Sequence, residues 1–109
     1  MDSSDDHAAR RVALEAKALG LAQTDVALRV GVMARVAKGP AIAEPFEDLA
    51  VQIGKAAHRV TAEQVSKVRD ALGTDKGAFE VVLTASIGAG LSRWDAAMRA
   101  IEDADDAAR

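Results

Sequence analysis

The sequence predicts an all-α fold: a single-domain bundle of about five helices with a long C-terminal helix. Three observations carry this. Alanine fills 25 of the 109 positions, while Phe46, Phe79 and Trp94 are the only aromatics. Alanine has the best helix propensity and lets helix axes approach closely, and the β-branched, aromatic-rich runs that make strands are missing. Apolar residues recur at steps of three and four, and Ser, Thr, Gly and Pro fall where such segments would start and stop. One domain spanning 1–109 is long enough for a single core, with 1–4 and 103–109 expected as frayed tails.

Ser3 or Ser4 can cap a first helix, with Asp5 and Asp6 at the positive end of its dipole. Val12, Ala16 and Leu19 form its apolar stripe, and Gly20 suits its C-terminus. Thr24 is placed to cap a second helix through Val26, Val30, Met33 and Ala37, stopping at Gly39-Pro40. Pro45 opens a third, whose inner face is Phe46, Leu49, Ala50, Ile53 and Ala57. Thr61-Ala-Glu-Gln64 has the form of a capping box for a fourth helix through Val65, Val68 and Leu72, ended by Gly73.

Thr74 caps the last helix, which has the clearest periodicity in the chain. Phe79, Val82, Leu83, Ser86, Ile87, Gly90, Leu91, Trp94, Met98 and Ile101 follow at steps of three and four. Its other side carries Val81, Ala85, Gly88, Ala89 and Ser92, again apolar or small. A helix apolar around most of its circumference is usually covered around most of it. A homo-oligomer joined through this helix is therefore expected, with Gly88, Ala89, Ser92, Arg93 and Trp94 at the interface. Arg93 would grip a carboxylate such as Glu80 on another helix or subunit, since their separation forbids a pair within one helix. Four acids from Glu102 to Asp106 oppose the dipole at its C-terminus.

Composition removes several classes of function. The net charge is −3, so no global field recruits nucleic acid or anionic lipid. With no cysteine there is no disulfide, thiolate nucleophile or thiolate metal site. Nothing resembles a membrane span, and the acidic stretch Met1-Asp-Ser-Ser-Asp-Asp-His7 is unlike a secretion signal. A cytoplasmic protein without cofactor, metal or membrane partner is expected.

The C-terminal half, from about residue 40 to 101, resembles the carboxymuconolactone decarboxylase and AhpD-like family. The similar pieces are Ala57-His-Arg-Val-Thr61, the Phe79-Glu80 pair and Gly88-Ala-Gly-Leu-Ser-Arg93. The resemblance implies an all-helical bundle that assembles into trimers or hexamers. It also implies two redox cysteines followed by a histidine. Here Ser4-Asp-Asp-His7 has the spacing of the second cysteine and that histidine, but serine stands in the sulfur position. Thiol peroxidase chemistry needs a thiolate, so it is excluded.

Two other constellations bear on function. His58, with Glu47 or Glu80, has the residue types of an acid–base site for decarboxylation or isomerisation. Gly20 to Val32 has the form of the first part of a helix-turn-helix, with the turn at Gly31 and a second helix Met33 to Lys38 carrying Arg35 and Lys38. That reading helix would be barely two turns long, and the acidic total works against a DNA partner. His7 is expected in solvent. Gly88-Ala-Gly90 follows no strand, so close helix packing explains it better than a phosphate loop. The leading expectation is a non-redox AhpD-like binding or assembly subunit; the alternatives are an acid–base enzyme and a small DNA-binding regulator.

Overall fold

The structure, a computed structural model, describes residues 3–20 and 23–108. The described residues form helices and connecting turns without strands: α1 (Ser3–Leu19), α2 (Val26–Val36), α3 (Phe46–Ala56), a 3-10 turn at Ala57–Arg59, α4 (Ala62–Leu72) and α5 (Asp75–Ala107). The core lies where α2, α3 and α4 meet the first half of α5. Val32, Leu49, Ala50, Ile53, Val68, Ala78, Val81 and Ala85 fill it.

Local chemistry explains most boundaries. Thr61 Oγ1 accepts from the Gln64 amide at 3.2 Å while the Thr61 amide donates to Gln64 Oε1 at 3.0 Å, closing the capping box of α4. Gly73 ends α4 at φ 81°, a conformation only glycine adopts without strain. Thr74 Oγ1 accepts from the Gly77 amide at 3.0 Å and starts α5. Helix α3 begins one residue after Pro45 and stops at Ala56, so Ala57 is an exposed residue of the 3-10 turn rather than part of the inner face. The expected serine caps of α1 involve side chains outside the described ones.

Three expectations need correction. Thr24 does not cap α2: Asp25 holds that position without a side-chain bond, and Thr24 is buried against α5. Gly31 makes no turn, because α2 runs unbroken through it and no separate helix follows from Met33 to Lys38. On α1, Val12 is 64% exposed. The helix instead presents His7, Arg11 and Glu15 inward, so it docks by polar contacts that hydrophobic periodicity does not register.

Helix α5 is one unbroken rod, with its sides assigned by volume. Gly77, Ala78, Val81, Thr84, Ala85, Gly88 and Ala89 face the bundle. A Cβ at Gly88 would lie 2.6 Å from Val36 Cγ2 and 3.2 Å from Met33 Cγ, so α2 crosses where glycine allows it. Phe79, Trp94 and Ile101 are 63%, 37% and 54% exposed on the opposite side. The rod continues helically to Ala107, beyond residue 103 where fraying is expected. Ala96, Ala97, Ala100 and Ala104 supply the propensity that offsets the acidic end.

Candidate functional site: the groove between α1 and α5

Helix α1 lies along the second half of α5, held by a two-pronged ion pair. Arg11 Nε donates to Asp95 Oδ1 at 2.8 Å and its Nη2 to Asp95 Oδ2 at 2.7 Å, the fork geometry that makes arginine–carboxylate pairs directional. A third bond runs from Arg11 Nη1 to Glu15 Oε2 at 2.6 Å. Asp95 is held below the usual carboxylate range by its bonds from Arg11, and Arg11 is held above its ordinary value by the same bonds. One turn earlier the His7 ring sits 5.0 Å from that of Trp94, tilted by 59°.

Two clefts flank this clamp. One, of about 360 Å³, is an apolar groove lined by Leu14, Ile87, Gly90, Leu91 and Trp94 and rimmed by His7, Arg10 and Arg11. The other, of about 430 Å³, lies between α1, α2 and α5; Val30, Met33 and Ala34 line it, with Arg11, Glu15, Asp95 and Arg99 among its polar residues. A further apolar groove beside the exposed Phe79 runs between α4 and α5 past Val65 and Val82. These surfaces can hold an apolar or amphipathic partner.

The acid–base candidates are not brought together. His58 is exposed in the 3-10 turn after α3, while Glu47 is in the first turn of α3, at the other end of a helix about 16 Å long. Glu47 is taken up by structure: it accepts from Arg35 Nε at 2.8 Å and from the Ile42 amide at 3.1 Å, which together hold it below the usual carboxylate range. Glu80 is buried at the other end of α2. Its carboxylate accepts from the Gln23 amide at 2.8 Å, the Thr24 amide at 3.1 Å and Thr24 Oγ1 at 3.0 Å, with Arg29 Nη1 at 3.7 Å. Burial pushes its titration up, but these bonds outweigh it and the net direction is down. Arg29 also donates to the Thr24 carbonyl and, at 2.9 Å, to Thr24 Oγ1. This network fastens the α1–α2 connection to α5.

The expected interface residues divide in the same way. Gly88 and Ala89 are consumed by packing inside the chain, and Ser92 is half-buried in the cleft beside α2. Arg93 is exposed and donates to the Gly54 carbonyl of α3 at 3.1 Å, an interhelical bond to backbone rather than to Glu80. Trp94 remains on the outer groove. Sequence reasoning missed Arg11, Asp95 and Arg10, because charged residues on an exposed-looking helix give no periodic signal until their partner helix is known. No group of three or more His, Asp or Glu side chains suited to a metal ion occurs among the described residues. No helix described is long and apolar enough to cross a membrane. Comparison of the chain with family models, curated proteins and solved structures finds no match.

Proposed function

We propose that this chain is a helical assembly subunit, contributing surfaces rather than catalysis, that forms homo-oligomers through the outer side of α5. One observation carries the reading: the large apolar residues of that helix, Phe79, Trp94 and Ile101, point away from its own core. The three lie within about 60° of arc on one side of the rod, and exposed large apolar residues that share one helix face are the kind a partner covers. The molecule's proportions agree. Its radius of gyration is 15.6 Å and its extents are 54 × 25 × 22 Å, against about 13 Å for a compact chain of this length. The excess comes from α5, whose 33 residues span about 50 Å.

The resemblance to the AhpD-like group fits within the same proposal, as a relative keeping helical assembly without the redox cysteines. A cytoplasmic setting is part of it. The acid–base alternative lacks support, because Glu47 and Glu80 are each taken up by other partners while His58 is exposed, and the regulator lacks the turn at Gly31. Light scattering across micromolar concentrations tests the proposal. A mass at a multiple of 11.4 kDa is expected; 11.4 kDa at every concentration overturns it.

A further inference from the structure

The groove between α1 and α5 has an open notch. A Cβ at Gly90 would meet nothing within 4 Å, in contrast to Gly88 two residues earlier. A mid-helix glycine without a neighbour costs about 1 kcal/mol relative to alanine and gains no packing inside the chain. The rim is basic, with His7, Arg10 and Arg11, and no acidic side chain is among the groove's described lining. Arg11 is already engaged by Asp95 and Glu15, which leaves exposed Arg10 as the outward arginine among the described lining residues.

The complementary surface is on the same molecule but out of its own reach. From Arg99 to Ala107 every residue of α5 is exposed. This overhang carries Ile101 and the acids Glu102, Asp103, Asp105 and Asp106, with no basic residue in its last turn. Gly90, Trp94, Ala97 and Ile101 lie within about 60° of arc, so notch and overhang share one face of the rod.

We infer that each groove receives the α5 overhang of a second copy of this chain, in an antiparallel two-fold contact centred near residue 96. This rests on the assembly proposal and specifies its geometry. Antiparallel helices place positions equidistant from the centre opposite one another. Ile101 of the partner subunit therefore comes level with Gly90 and Leu91 and fills the notch. Glu102 of the partner subunit and Asp105 of the partner subunit come level with Gly90 and Ile87, on the flank where α1 carries Arg10. The contact is self-complementary, as a two-fold interface requires, and the rods overlap over about 30 Å between residues 86 and 106.

The chain has no cysteine, so single-cysteine variants each report one distance. Ala97→Cys is exposed beside the two-fold centre and should form a disulfide-linked dimer under mild oxidation. Phe79→Cys lies 17 residues from the centre, putting the two copies about 50 Å apart, and should not cross-link. Light scattering on the reduced variants separates the failures. An oligomer whose Ala97→Cys does not link, or whose Phe79→Cys does, overturns this docking while the assembly reading stands. A monomer throughout overturns both. Arg10→Glu should weaken dimerisation by about fivefold at low salt and little at high salt, as a surface ion pair would. Equal affinity at both salts overturns the charge pairing.

Discussion

Lys38 is the one described non-glycine residue at positive φ, 69°, and it closes α2. Its amide donates to the Arg35 carbonyl at 3.0 Å, and the Gly39 amide reaches the Ala34 carbonyl at 2.7 Å, the paired bonds that satisfy a helix C-terminus. The left-handed residue in that arrangement is usually glycine, and a side chain there costs about 1 kcal/mol. Gly39 is one position too late to supply it. A Cβ at Gly39 would itself lie 2.6 Å from the Ala34 carbonyl oxygen, so the two residues cannot exchange roles. Lys38→Gly should stabilise the fold by about 1 kcal/mol in denaturant unfolding, with an unchanged denaturant slope. A loss of stability would mean that the lysine stem makes a contact that outweighs the strain.

At the level of the element, α5 is decided by which glycines have neighbours. Gly88→Ala drives a methyl into Val36 and Met33, so over-packing of about 1–3 kcal/mol is expected. Gly90→Ala meets nothing and should raise the stability of the isolated chain by about 1 kcal/mol through helix propensity. Thermal unfolding in dilute solution distinguishes the pair, and equal shifts would contradict the packing described. Gly88-Ala-Gly90 in the sequence suggested close helix packing, and for Gly88 that holds inside the chain. The spacing put the two glycines on opposite sides of the helix, but it could not say which side α2 would cover and which would stay open. On α1 the periodicity pointed to Val12, Ala16 and Leu19, yet Val12 and Ala16 are exposed and the side turned toward the bundle carries His7, Arg11 and Glu15.

Over the whole molecule, the helices are joined by buried or half-buried carboxylates whose titration is shifted the same way. Glu80, Glu47 and Asp95 are all held below their ordinary values, 4.5 for the glutamates and 3.8 for the aspartate. Groups depressed in the folded state contribute stability that is complete above their unfolded values and lost as pH falls through the folded ones. The melting temperature should therefore be level from about pH 6 to 8 and fall steeply below about pH 4. Glu80→Gln removes the charge facing Arg29, lowering neutral-pH stability by about 3 kcal/mol and flattening the acid decline. A mutant with the parent's full acid slope would remove Glu80 as a source of that dependence.

The amino-acid order alone settled what depends on neighbours close along the chain. The all-α class, the capping box at Thr61, the stop at Gly73, the start at Thr74 and the absence of thiol chemistry are local in origin, since each depends on residues a few positions apart or on a residue type being missing. Which side of α5 faces inward, where Glu80 finds its donors and why Thr24 is buried rather than capping were decided only by the packed molecule. The physical reason is that α5 is apolar on both sides, so burial energy does not choose between them. The choice falls to shape, because α2 can approach closely only over glycine and alanine, and that approach leaves the larger side chains of α5 facing outward.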